Sequence, residues 1–401
     1  MTYFVTGATG FIGRYLVQSL LQKGKGTIYV LVRPKSVGKL DELREFWGKD
    51  SLKRVVPIKG DLGLPKLGVA RGDLTKLKGK VKHFYHLGAV YDLEASAEAM
   101  EKANITGTRG ALEFAEAVNA GCFHLVSSIA AAGLYRGTFT EDMFEEAEEL
   151  EHPYHRTKHD SEAMVRANGR IPFRVYRPGA VLGHSQTGFI DKIDGPYYFF
   201  KALQKLRESW PRSIPLVGIE GGYINVVPVD FVVDALVHLS HQPKLDGRCF
   251  HLTDPKARRV GEVLNVFARA AHAPEMAFRL DPKVFAMVPE PVTQSVQRSK
   301  PIQNVFNQLL RDLQVPRSVL QFVNYPTRFD SAATQKLLDK AKIRVPALED
   351  YAWRLWDYWE RHLDPDLSID RSLKGAVRGK VVVITGGSSG IGEAAAIRIA
   401  E

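Results

Sequence analysis

The sequence predicts an α/β protein: a doubly wound parallel sheet with a smaller, mainly helical lobe beside it. Three observations lead there. Over residues 1–176 short β-branched runs alternate with helical patterns; the runs are apolar throughout, as in strands covered on both faces; and the first run enters a glycine-rich turn that opens a helix.

Taken in order, YFVTG from residue 3 reads as the first strand and GRYLVQSLLQKG (13–24) as an amphipathic helix. TIYVLVR (27–33), RVVPIKGDL (54–62) and HFYHLGAV (83–90) read as the next three strands, and CFHLVSS (122–128) follows a long helix toward Ala120. The sheet-forming core is therefore expected mainly within residues 1–180. Beyond RVYRPGAVLG (174–183) the rhythm loosens into Pro- and Gly-rich stretches with amphipathic helices at 260–271 and 305–313, so the smaller lobe is expected over 181–365. The aromatic stretch YAWRLWDYWERHL (351–363) reads as a helix docking large side chains onto the body. Residues 366–379 read as a polar linker. Residues 380–401 (KVVVITGGSSGIGEAAAIRIAE) repeat the opening theme of strand, glycine turn and helix start. A strand and part of a helix cannot bury their own apolar faces, so this segment is expected to open a second nucleotide-binding domain of the full-length chain.

Composition narrows the class. At 401 residues, 45% apolar and 25% charged, the chain has the material for a sizeable core and excludes a disordered or low-complexity protein. Two cysteines, Cys122 and Cys249, leave no disulfide framework, and the opening MTYFVTGATG has no secretory pattern, so a cytoplasmic location is expected. No apolar run reaches about 18 residues, so a spanning helix is not expected, while peripheral contact with a membrane stays open. The net charge is +10 although residues 141–151 alone hold seven carboxylates. That basic balance suits phosphorylated small molecules or anionic lipid; without zinc-finger spacing or basic heptads, nucleic acid is not expected.

The glycine turn Gly7-Ala8-Thr9-Gly10-Phe11-Ile12-Gly13 lies between a strand and a helix, with a second strand at βαβ distance. Its glycines let backbone approach a pyrophosphate, and the helix N-terminus faces the negative charge, so it reads as a dinucleotide site. At the end of the second strand, where a carboxylate would receive the ribose 2′-hydroxyl of NAD, stands Arg33. A guanidinium suits a 2′-phosphate, so NADPH is the expected cofactor, with Arg14 and Lys35 as supporting charges. Asp61, after the third strand, is placed for the adenine amino group.

Tyr154 and Lys158 stand at i and i+4, a phenol and an amine on one helix face. An ammonium there is expected to lower the phenol's pKa and to hold the nicotinamide ribose, setting a proton donor beside the hydride donor. Ser128, at the carboxyl end of the fifth strand, is expected to hydrogen-bond the substrate carbonyl, with Ser127 as the fallback because neighbouring strand residues face opposite ways.

TGATGFIG, HLGA (86–89), NITGT (104–108), VSSIAAAG, YHRTK and YRPG (176–179) together resemble the extended short-chain dehydrogenase/reductase family over residues 1 to about 360. The resemblance implies a Rossmann fold and a catalytic set of Ser128, Tyr154 and Lys158, with Pro178 and Gly179 beside the nicotinamide. The implied cofactor contacts add Thr6 and Thr9 in the first turn, Leu62 after Asp61, Leu87, Gly88 and Ala89 after the fourth strand, and Asn104. HLGA replaces the more usual HLAA, which should touch packing rather than chemistry. The terminal TGGSSGIG resembles the single-domain branch of the same superfamily, and the tandem resembles bacterial bimodular fatty acyl-CoA reductases.

That resemblance implies reduction of a long-chain acyl or aldehyde substrate. The first module is assigned the aldehyde step, since the second resembles reductases that act on acyl-CoA. PYYFF (196–200) is a candidate wall for an acyl channel. The competing readings are the acyl-CoA step, a hydroxysteroid or nucleotide-sugar enzyme, and a non-catalytic NADP(H) sensor.

Overall fold

The structure is a computed structural model and describes residues 1–90, 95–210, 216–280, 325–368, 377 and 379–400. The expected helix at 305–313, residues 211–215 and 281–324 of the smaller lobe and most of the expected linker lie outside them. The chain divides into two compact units, Met1–Trp356 and Asp357–Glu401.

Seven strands form one sheet in the first unit: β1 (Tyr3–Thr6), β2 (Ile28–Val32), β3 (Val55–Lys59), β4 (His83–His86), β5 (Cys122–Val126), β6 (Phe173–Pro178) and β7 (Cys249–Leu252). Every pairing is parallel, in the order β7-β6-β5-β4-β1-β2-β3. Alternate residues of β1 serve opposite layers. Tyr3 and Val5 pack beneath α1 (Phe11–Lys23), while Phe4 stacks on Phe84 and Phe114, the latter from α2 (Gly107–Ala117). Helix α3 (Pro153–Ala167) joins the α2 layer through Val165, and α4 (Val229–Ser240) joins the α1 layer. This is the doubly wound Rossmann arrangement. The chain reverses its winding between β1 and β4, which opens a crevice at their carboxyl ends.

Six of the seven strands lie within residues 1–180, where the sheet core is mainly expected. β7 adds a seventh beside β6, with Val175 opposite Cys249, and α4 covers the same sheet. A four-residue apolar run after an irregular stretch carries too little pattern to be told from loop. In the second unit the helix after the glycine turn forms, Gly390–Ala400, but residues 381–384 are not a strand. Val381 is 94% and Val383 85% exposed; among the described residues no strand lies beside this apolar run to supply the backbone partners that would make it a strand. The turn itself keeps its packing, since a Cβ on Gly392 would lie 2.2 Å from the Gly386 oxygen.

Helix α5 (Val260–Ala270) and helix α6 (Leu348–His362) complete the elements used below. Up to Trp356 the aromatic helix buries Tyr351, Leu355 and Trp356, with Trp356 against Phe200 at 5.1 Å between ring centres. This is the docking role expected for it. Among the described residues no helix is long and apolar enough to cross a membrane.

Histidines inside this fold give it a defined pH dependence, four of them on the strands of the sheet. His86 lies between Thr6 Oγ1 (2.8 Å) and Thr108 Oγ1 (3.1 Å), and His124 between His83 (3.0 Å) and the Tyr176 hydroxyl (3.1 Å). Burial lowers their pKa values, to about 4 for His83 and about 3 for His86 and for His251 on β7, and well below the ordinary value for His124. The unfolded chain binds these protons near pH 6.5, whereas the folded chain refuses them until roughly pH 4. Stability is therefore complete above 6.5 and falls as pH drops toward 4, at up to about 1.4 kcal/mol per pH unit per histidine. Urea unfolding followed by circular dichroism at pH 7, 6, 5 and 4 checks this; constant stability from 7 to 5 would contradict it.

Candidate active site

The site begins where β1 turns. Gly7 has φ +73°, and a Cβ there would lie 2.8 Å from the Gly88 nitrogen and 2.9 Å from the Leu87 carbonyl carbon, so the exits of β1 and β4 touch through backbone. A Cβ on Gly13 would fall 2.1 Å from the Gly7 oxygen, and the Gly10 amide donates to that same oxygen at 3.0 Å. These contacts bring the first turn of α1 onto the strand end with its amides facing the crevice, the cradle that a pyrophosphate requires.

The crevice is a continuous cavity of about 850 Å³. Of the sequence-derived cofactor set, Gly7, Thr9, Gly10, Phe11, Ile12, Gly13, Arg33, Asp61, Leu62, Leu87, Gly88, Ala89, Pro178 and Gly179 line it, as do Ser128, Tyr154 and Lys158. Four do not. Thr6 lies beneath the wall, where its Oγ1 accepts from the Gly88 amide at 3.3 Å. Asn104 is buried, accepting from the Val90 amide at 2.8 Å and donating to Thr157 Oγ1 at 3.0 Å, which ties the exit of β4 to α3 one residue before Lys158. Arg14 is ion-paired with Asp191 at 2.7 Å and lies over the Phe189 ring, committed to a segment far along the chain. Lys35 is exposed outside the cavity, and Ser36, which the sequence reading passed over, lines it beside Arg33. Asp61 lines the cavity and also accepts from the Gly63 amide at 2.8 Å, so it shapes its own turn.

Helix α3 presents Tyr154 and Lys158 to the cavity. Pro153 occupies its first turn, and the His152 ring nitrogen accepts from the Tyr154 amide at 3.1 Å, which fixes the helix start one residue from the phenol. The two serines after β5 part company. Ser127 Oγ donates to Glu162 at 3.0 Å, whereas Ser128 Oγ caps the next turn by accepting from the Ala130 amide at 3.1 Å and hydrogen-bonds the Tyr154 hydroxyl. Ser128 is thus the serine joined to the phenol.

The electrostatics reverse one expectation. The Tyr154 phenol sits above its ordinary pKa, not below it: loss of hydration outweighs the hydrogen bond with Ser128, and the Asp194 carboxylate adds to the rise. Lys158 absorbs the cost of burial itself, pushed down to about 8, with Glu162 acting in the opposite sense. A phenol that keeps its proton at neutral pH is suited to give one away. His155, Tyr325, Asp194 and Tyr223 also line the cavity. Apart from His155, within the YHRTK motif, they come from loops and short strands whose sequence carries no period or motif to single them out.

With this geometry in hand, the family model described as Male sterility protein, an NAD-binding family, matches residues 5–236, more than half of the chain. The chain belongs to the Male sterility protein family. Its members are extended short-chain dehydrogenase/reductases, and the match covers the glycine turn, Ser128, Tyr154 and Lys158. The Male sterility family chain is 32% identical over 268 residues to a component of the linear gramicidin synthase of Brevibacillus parabrevis, a match covering 63% of this chain and 5% of that protein. It is 28% identical over 307 residues to a Drosophila melanogaster protein provisionally named a fatty acyl-CoA reductase, covering 62% and 58%. Among solved structures, the terminal R domain from the myxalamid PKS-NRPS biosynthetic pathway superposes with a TM-score of 0.70 at 25% identity, covering 90% of each chain. The chain thus spans only part of these curated relatives.

Proposed function

We propose that this protein is an NADPH-dependent reductase of a long-chain fatty substrate, and that its step is fatty aldehyde to fatty alcohol. The observation that carries this reading is the single cavity in which the glycine turn and Arg33 share a wall with Ser128, Tyr154 and Lys158, and which continues along apolar surface. Pro196, Tyr197, Tyr198 and Phe199 of the PYYFF segment line it together with Ile224, Val263, Leu264 and Phe329. Phe200 turns into the core instead, against Phe267 at 4.8 Å. Such a wall suits an acyl chain.

The nicotinamide, when bound, supplies the hydride. The turn of Gly7, Gly10 and Gly13 would hold its pyrophosphate through backbone amides, and Lys158, lining the same cavity, would hold its ribose. Ser128 steadies the substrate carbonyl, and Tyr154 gives its proton to the oxygen as charge develops there. Nothing further is needed to make an alcohol from an aldehyde. A thioester would also have to expel a thiolate, and neither cysteine assists: burial pushes the thiols of Cys122 and Cys249 up to about 12. The name of the Drosophila relative favours the thioester step as the second reading. Supplying the protein separately with a long-chain aldehyde and the matching acyl-CoA, with NADPH in excess, decides. Rapid oxidation of NADPH with acyl-CoA and none with aldehyde would overturn the assignment.

Arg33, exposed at the end of β2 and lining the cavity, supports NADPH as the cofactor. The expected preference in kcat/KM over NADH is at least about 10-fold, modest for a charge-assisted phosphate contact. Arg33→Asp should remove or reverse it. Equal efficiency of the unmodified protein with both cofactors would refute the role of Arg33.

A further inference from the structure

One turn beyond Lys158, α3 carries a carboxylate that the chemistry above does not use. Glu162 is fully buried, where an ionised carboxylate is costly unless it is hydrogen-bonded and neutralised. Three side chains meet that need. Arg177, also fully buried, reaches it twice, Nη2 to Oε1 at 2.6 Å and Nε to Oε2 at 3.0 Å. Arg166 brings Nε to Oε1 at 2.9 Å, and Ser127 Oγ donates to Oε2 at 3.0 Å. The partners come from different walls of the site: Ser127 precedes Ser128, Arg177 precedes Pro178 and Gly179, and Arg166 lies on the catalytic helix.

We propose that Glu162 is a positioning residue for the reduction, engaging the Ser127 hydroxyl so that Ser128 is left to Tyr154, and serving as the counter-charge that keeps Lys158 an ammonium. The proposal rests on Tyr154 and Lys158 being the catalytic pair. The charged and titratable groups around Lys158 are few. Tyr154 and Glu162 share its helix, and from β4 comes His86, held neutral by burial and by Lys158 itself, with a pKa near 3. Behind Glu162 stand Arg166, Arg177 from β6, and Cys249 and His251 from β7; Asp194 faces Tyr154. Within this set Glu162 is the anion that raises the Lys158 pKa against the burial that lowers it to about 8.

The consequence is a pair of shifts of opposite sign. Loss of the Lys158 proton ends turnover on the alkaline side, so the rate of the unmodified protein should fall above about pH 8. Glu162→Gln removes the counter-charge and should move that limb down by about one pH unit. Arg166→Gln removes a cation from the same cluster and should move it up by a few tenths of a unit; Arg166 is partly exposed, and Arg177 remains on Glu162, so the helix should keep its place.

The test is kcat against pH for the three proteins with NADPH and a long-chain aldehyde, alongside KM, NADPH titration by fluorescence and thermal melts. Opposite displacements with little change in KM support the proposal. Equal loss of rate at every pH, with the limb unmoved in both variants, would reduce Glu162 to a structural ion pair and overturn it. If Glu162→Gln does not fold, Arg166→Gln decides alone, an unmoved limb being the overturning result. Tyr154→Phe measured in the same series separates the premises: if it stays active the catalytic pair itself is wrong, and if it is inactive while neither limb moves, only Glu162 has been misread.

Discussion

Tyr154→Phe should lower turnover by at least about 100-fold while leaving NADPH binding nearly intact, because general acid catalysis contributes about 10²- to 10⁴-fold. The change removes one oxygen from a side chain whose ring lines the cavity, so shape and packing are preserved. What disappears is the proton, which burial and Asp194 hold on the phenol, and the hydrogen bond with Ser128. Single-turnover NADPH oxidation with aldehyde, together with a binding titration, reads the two effects apart. Retention of most of the activity would remove Tyr154 from the chemistry.

Gly13→Ala should weaken NADPH binding by at least about 100-fold, or roughly 2.7 kcal/mol. The added carbon would lie 2.1 Å from the Gly7 oxygen and 2.8 Å from the Ala8 Cα, and both are backbone atoms that no side-chain rotation relieves. Either α1 moves off the strand end or the turn opens, and each withdraws amides from the pyrophosphate. A fluorescence titration with NADPH measures the loss, and a thermal melt shows whether the fold survives it. Undiminished affinity would mean that the turn is not the phosphate cradle.

Much of this site was legible in the sequence because its requirements are local. Gly7, Gly10 and Gly13 serve a turn of seven residues, and Tyr154 and Lys158 share a face because i and i+4 meet on any helix. Arg33 follows its strand directly. What was not legible depends on distance. Arg14 looked available for a phosphate until the fold brought Asp191 against it across 177 residues. The sign of the Tyr154 shift follows from how completely the phenol is dried, which a motif does not contain. β7 is four residues whose identity as a strand exists only beside β6, and residues 381–384 show the converse, a strand-like sequence with no strand to pair with among the described residues.

The position of β1 in the middle of the sheet also sets a timetable for making the protein. Tyr3 pairs with Ile28 on one edge and with His83 on the other, so the second edge has no neighbour until some 80 further residues have been synthesised. At about 5–20 residues per second that interval lasts roughly 4 to 16 seconds. Throughout it the nascent chain carries a largely apolar strand with one open backbone edge, the kind of surface that pairs with other chains. The crevice that receives the cofactor can form only when β4 arrives to close it.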